Sequence, residues 1–291
     1  MSLVVSGDLL RPARANHYVI GGINVDNAEG VEVTVAAAEE MESPVILQVG
    51  QLALQYTNLN LLAQMVLTAA EASPVPVALQ LDHGTTYEQV IQCLRAGFSS
   101  IMFDGSHMPL EENIRATREV VRTAHAIGVS VEGEVGRMPR IGHHDDHSAV
   151  LTDPVEVERF VEGTGVDAVA ISIGNVHGFY KGEAKLDLAR LKKIGDRVPI
   201  PLVLHGGTGI SPDEIKQSVP FGIAKVNVAT ELRRRFLESL AKDLCDGGHH
   251  DWYEVMKEAK EAMKQAVKER LAVFDSVNRA SDYRENIPRR F

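Results

Sequence analysis

The 291 residues are 44% hydrophobic and 24% charged, enough for one large core or two ordinary ones, and the formal net charge of -10 leaves no basic face for nucleic acid. Two cysteines, Cys93 and Cys245, argue against a disulfide framework and for a reducing, cytoplasmic setting. No apolar run reaches membrane-spanning length, and residues 1–18 run from apolar to arginine-bearing, the reverse of a secretory signal.

Eight apolar runs of strand length recur along the chain, at 18–25, 45–49, 77–82, 100–105, 129–136, 168–174, 201–207 and 223–230. Amphipathic helical patterns fall between them at 27–41, 58–72, 87–96, 109–128, 153–163 and 186–194, and a charged helical segment follows near 250–273. Strands alternating with helical crossovers imply a parallel sheet. Eight such units in about 230 residues predict an α/β fold, the (β/α)8 TIM barrel, with additional C-terminal helices. No linker divides the chain, so 1–291 is expected to be a single domain with a helical extension over about 250–291. A doubly wound sheet would place GxGxxG after the first strand, where this chain has INVDNAEG.

His83, His177 and His205 each stand where an apolar run breaks into glycine, in LQLDHG, ISIGNVHG and LVLHGG. Barrels carry their active sites at the carboxyl ends of the strands, so these imidazoles share one rim. Three neutral imidazoles with a fourth position open make a catalytic rather than a structural zinc site. Asp82 precedes His83; beside a cation it can serve as a general acid or base, or cap a turn through backbone NH groups. Asn24, Gln48, Asp104, Glu134 and Asn227 also stand at strand ends. Glu132 and Glu134, two apart, share a face, and a metal or a metal-bound histidine would partner them; Asp104 has the same possible role. Each of these carboxylates also fits an ordinary ion pair.

HGGTG at 205–209 and NVAT at 227–230 follow the last two strands, where barrels bind phosphate through backbone NH groups and a helix start. Gly206, Gly207, Thr208 and Gly209 allow close approach, and Thr208 and Thr230 offer hydroxyls. The connection at 137–150 is long for a strand-to-helix loop and holds His143, His144, Asp145, Asp146 and His147; a solvated polar loop, a lid or a second cluster all fit it. His107 is expected in the cavity wall, and Arg233 to Arg235 on an exposed helix face or subunit contact.

Taken in order, LQLDHG, MFDGSHMPLEENI, VEGEVG, GNVHGFYKG, LVLHGGTGI and KVNVATELR resemble the class II, metal-dependent ketose-bisphosphate aldolases over nearly the whole chain. The resemblance implies reversible cleavage of a ketose 1-phosphate, of the fructose or tagatose 1,6-bisphosphate type, to dihydroxyacetone phosphate and an aldehyde. It implies Zn2+ on His83, His177 and His205, with Glu134 as a carboxylate near the metal and alternative ligand, and Asp82 as the acid/base; Asp104 is a further candidate ligand from its own place at a strand end. It implies that Gly178, Gly206, Gly207, Thr208, Asn227, Ala229 and Thr230 hold the phosphate half of the substrate, with Lys181 nearby; Asn24 and Gln48 are substrate-binding candidates from their places at strand ends. A monovalent cation (Na+ or K+), a homodimer or homotetramer, and a second proton carrier at Asp145 or Asp146 are further implications. Gly50 in LQVGQ, the loop RMPRIGHHDDH and GGINVDN depart from the family pattern and bear on the aldehyde half. A different terminal anion, such as the sulfonate of 6-deoxy-6-sulfofructose 1-phosphate, therefore also fits. Arg270 or Arg279, from this or a neighbouring subunit, or Arg140 or His143 from the loop, is expected to meet that anion. Two other readings are a metal-dependent hydrolase, which would want HxH at the first strand where Asn24 and Asp26 stand, and a noncatalytic sugar-phosphate-binding barrel.

Overall fold

The computed structural model describes residues 3–138, 150–178, 180, 182, 184–245 and 251–283. Eight strands, β1 (Ile20–Asn24), β2 (Val45–Val49), β3 (Val77–Gly84), β4 (Ser100–Phe103), β5 (Ser130–Val135), β6 (Ala168–Ile171), β7 (Leu202–Leu204) and β8 (Ile223–Val228), close into a parallel barrel in sequence order. β8 returns to β1 with Gly22 opposite Asn227. The sixth and seventh apolar runs overshoot their strands, because Ile173 and His205 stay buried after the ladder has ended and build the rim instead.

The helices are α1 (Ser6–Ala15), α2 (Ala28–Glu40), α3 (Gln51–Tyr56), α4 (Leu59–Ala72), α5 (Tyr87–Arg95), α6 (Leu110–His125), α7 (Pro154–Thr164), α8 (Leu188–Gly195), α9 (Pro212–Ser218), α10 (Thr230–Cys245) and α11 (Trp252–Val273). Polar caps start several of them. Asn27 accepts from the Gly30 amide, Thr86 from Gln89, and Asp153 from Val155 and Glu156, with Pro154 in the first turn where its missing NH costs nothing. The C-terminal segment forms α11, which packs on α10 and α2. Among the described residues, no helix is long and apolar enough to cross a membrane.

Two apolar layers hold the barrel. The outer one lies between the strands and the helices around them. The inner one fills the amino end, where Ile20, Ile46, Ala78, Ala168, Ala170, Val203 and Ala224 point inward and meet Leu9, Leu10 and Ala13 of α1. Alanine at four of these inner positions leaves room for the leucines, so α1 plugs that end. The barrel is sealed below, and its open end is the carboxyl rim. Between plug and rim lies a buried polar layer of Gln48, Gln80, Glu132 and Lys225.

Gly133 on β5 faces outward beneath α7, where an added Cβ would lie 2.6 Å from two ring carbons of fully buried Phe160. Gly133→Ala is expected to lower unfolding stability by about 1–3 kcal/mol through overpacking. Urea denaturation checks this, and an unchanged midpoint would show that Phe160 has room to move.

Candidate active site

Adjacent strand residues normally point to opposite faces, yet Asp82 and His83 both line the same cleft. The pairing of β3 with β4 shifts register between Leu81 and Gly84, and His83 takes a left-handed backbone with φ 54°. That turn carries its ring over the rim. His177 follows β6 in a loop held by Asn175, whose Oδ1 accepts from the Ile173 amide at 2.8 Å and whose Nδ2 donates to the His205 carbonyl at 3.1 Å. Gly206 at φ 67° makes the matching close approach, since a Cβ there would lie 1.9 Å from the Val176 carbonyl. The three ring centroids stand 4.7, 5.1 and 6.0 Å apart, and a ligand atom of each ring lies within 4.8 Å of those of the other two.

Carboxylates hold two of the rings from behind. Asp104 Oδ2 lies 2.7 Å from His83 Nδ1, while its Oδ1 accepts from the Ser106 amide and hydroxyl. Glu132 Oε1 lies 2.9 Å from His205 Nε2, and its Oε2 accepts from Lys225 Nζ at 2.6 Å and Gln80 Nε2 at 3.0 Å. This leaves His83 Nε2, His205 Nδ1 and Glu134 Oε2 buried without a hydrogen-bond partner. Buried unpaired polar atoms are costly, and three of them on neighbouring side chains, with Glu134 Oε2 3.7 Å from the Nδ1 atoms of both His205 and His83, fit a site for a divalent cation. Asp104, with both oxygens engaged, is placed to orient His83, as outer carboxylates do for metal-bound imidazoles.

The charges follow from this packing. Burial pushes the Asp82 pKa up, but His83, His205, the Asn24 amide and Lys225 outweigh it and hold the group below its ordinary value. Burial opposes a charge on Glu132 too, yet Lys225 and His205 bring it down to about 2. Glu134 goes the other way, raised well above the usual range by burial and then by Asp104. Burial alone would lower His83, but Asp82, Asp104 and Glu134 lift it to about 9. For His205 burial prevails and the pKa falls.

Asp82 sits in a cradle of amides. Asn24 Nδ2 donates to Oδ2 at 2.8 Å, and Asn227 Nδ2 reaches Oδ1 at 3.3 Å. Gly22 is part of this, because a Cβ there would press on the Gln48 and Asn227 amides at 2.5 and 2.7 Å. Above the cradle opens a cleft of about 320 Å3. Gly178, Gly206, Thr208, Asn227, Ala229 and Thr230 line one side of it, where α10 begins; Gly50, Leu52 and Ala53 line another.

Several expected residues stand elsewhere. Gln48 is fully buried beneath Asp82, one layer too deep to meet a substrate, because its strand register pairs it with Gln80. The Gly207 amide donates to the Asn227 carbonyl at 2.8 Å, so it has no NH left for an anion. Arg279 lies at the opposite end of the barrel, 4.8 Å over the Tyr18 ring that precedes β1. Arg270 is engaged by Glu231, and His107 is exposed rather than in the cavity wall. Arg233, expected on an outer face, lines the cleft and forms a bidentate pair with Asp26 at 2.6 and 2.7 Å. Lys181, Arg140, His143, His144, Asp145, Asp146 and His147 lie outside the described residues. Lys225 and Asn175 escaped the sequence reading. The available signals were a lone lysine two residues before Asn227 in an apolar strand, and an asparagine beside His177.

Fold and site together define a (β/α)8 barrel with side chains that could hold a metal ion beside a buried carboxylate on its carboxyl rim. Residues 4–279 match the family model "Fructose-bisphosphate aldolase class-II". The chain is 41% identical to the fructose-bisphosphate aldolase of Thermus caldophilus and 40% identical to that of Geobacillus stearothermophilus, over 96% and 97% of its own length and all of theirs. Among solved structures it is similar to the YdjI aldolase of Escherichia coli K12, with 34% identity and a TM-score of 0.87 over 96% of this chain and 99% of that one. The chain belongs to the class-II fructose-bisphosphate aldolase family, whose members are metal dependent.

In the metal-free protein His83, lifted to about 9, holds a proton at neutral pH that a cation must displace, and Glu134 is shifted in the same direction, toward its protonated form. Zinc affinity should therefore rise from pH 6 to pH 9, with protons released on binding. Calorimetry in buffers of different ionisation enthalpy measures this, and proton-neutral binding at pH 7 would contradict it.

Proposed function

We propose that this protein is a zinc-dependent aldolase that reversibly cleaves a ketose 1-phosphate, of the fructose or tagatose 1,6-bisphosphate type, into dihydroxyacetone phosphate and an aldehyde. The observation that carries this reading is the cluster of three buried side chains, His83, His205 and Glu134, each with an unpartnered atom, next to an Asp82 carboxylate held ionised in a cradle of amides. His83, His177 and His205 would hold the metal, with Glu134 within reach as a further ligand. When bound, the metal supplies Lewis-acid polarisation of the C2 carbonyl and stabilises the charge that develops there.

The remaining steps fall to the chain's own groups. Asp82 takes the C4 hydroxyl proton as the C3–C4 bond breaks; C4 becomes the aldehyde carbon and the bonding electron pair passes toward C3. Asn24 and Asn227 keep the accepting oxygens aimed into the cleft. Gly178, Gly206, Thr208, Ala229 and Thr230, at the start of α10, would hold the phosphate through NH groups and hydroxyls, which suits an anion bound by an acidic protein. Lys181 would sit near the substrate, and Asp145 or Asp146 would return a proton to C3. The family resemblance supports these three, along with a monovalent cation near the phosphate and a homodimer or homotetramer. A cytoplasmic setting is supported by Cys93 and Cys245, both free thiols.

Asp82→Asn should keep its zinc and its fold while cleavage falls by about 10²- to 10⁴-fold. Chelation of the wild type should abolish dihydroxyacetone phosphate release, and added zinc should restore it. Cleavage that survives full metal removal, or an Asp82→Asn variant with wild-type turnover, would overturn the proposal.

A further inference from the structure

We propose that Lys225 is a positioning residue for the metal centre: through Glu132 it fixes which ring nitrogen His205 turns toward the ligand site. The inference rests on the metal-binding reading above. It starts from a lysine fully buried inside the barrel, where a buried ion pair adds little to stability because desolvation offsets the attraction. Stability alone therefore does not explain why β8 carries it.

The geometry does. Lys225 Nζ and Gln80 Nε2 both donate to Glu132 Oε2, at 2.6 and 3.0 Å, which fixes the plane of the carboxylate and leaves Oε1 as the one oxygen facing His205. A carboxylate clamped by a lysine only accepts, so His205 Nε2, 2.9 Å away, is the donor and carries the ring proton. Nδ1 then bears the lone pair, and Nδ1 is the atom of that ring left buried without a partner. Asp104 does the reverse for His83, holding Nδ1 and leaving Nε2 open. Two rings from β3 and β7, with centroids 4.7 Å apart, thus leave different nitrogens open. Removing Lys225 leaves Glu132 Oε2 with Gln80 Nε2 as its one donor, so the carboxylate loses its cation and half of its clamp, and the His205 ring is held less firmly.

Zinc affinity is measured by chelator competition and the ligand field by the absorption of the Co2+-loaded protein, on wild type and Lys225→Met. A loss of about 10- to 100-fold in zinc affinity with an altered Co2+ spectrum is expected, the range seen when outer partners of metal ligands are changed. The double variant Lys225→Met/Glu132→Gln removes both charges and guards against misfolding of the single one; the same losses are expected. Unchanged affinity and Co2+ spectrum in either folded variant would overturn the proposal. Should neither fold, long-range 1H–15N spectra of wild-type protein decide it: a proton on His205 Nε2 is expected, and one on Nδ1 overturns it. A wild type that binds no metal refutes this inference together with the metal-binding reading. One that binds zinc but cleaves no ketose phosphate refutes only the aldolase reading.

Discussion

Two glutamates, Glu132 and Glu134, stand two residues apart on β5 and point into the same closed barrel, and the site is built around the charge they impose. Inside a protein a carboxylate without a cation is too costly to keep charged. Glu132 has its cation in Lys225 and its second partner in His205. Glu134 has neither; its free oxygen lies 3.7 Å from ring nitrogens of both His83 and His205, which are too far for hydrogen bonds. The lower carboxylate is satisfied by the protein, and the upper one is left for something that binds.

That asymmetry orders the interior into layers. At the amino end, alanines and α1 make a dry plug. Above it, Gln80, Glu132 and Lys225 form a network whose members meet one another rather than water. At the rim, His83, His205 and Asp82 are each oriented by a group one layer deeper or beside them, so little side-chain entropy remains to be lost when a ligand arrives. Beyond the rim the constraint relaxes. The wall made by Gly50, Leu52 and Ala53 offers no charge, and Arg233, the one lysine or arginine among the described residues of the cleft, is already paired with Asp26. The aldehyde half of a substrate therefore meets a less prescriptive surface than the phosphate half.

The sequence made the barrel and the histidines legible because both are written in local pattern, as apolar runs at regular spacing and as His before Gly at their ends. Depth was not legible. Gln48 and Asp82 both close apolar runs, but strand register sets Gln48 opposite Gln80 and beneath Asp82, and register appears only once strands are paired. Lys225 was obscure for a related reason, since its partner lies 93 residues away on β5. Arg233 looked like an outer residue because three arginines in a row suggest a solvated face; only the first turn of α10, crossing the rim opposite Asp26, brings it inward. α1 was missed because Pro12 interrupts its pattern, although its leucines are among the best-buried residues of the chain.

The central claim is that the rim is built to receive one divalent cation between rings that present different nitrogens. Crystals of zinc-loaded protein, with anomalous difference maps on either side of the zinc edge, test it most directly. One peak is expected, at about 2.0–2.1 Å from His83 Nε2 and His205 Nδ1, with His177 as the third ligand. A peak elsewhere, or zinc bound through His83 Nδ1 or His205 Nε2, would contradict it.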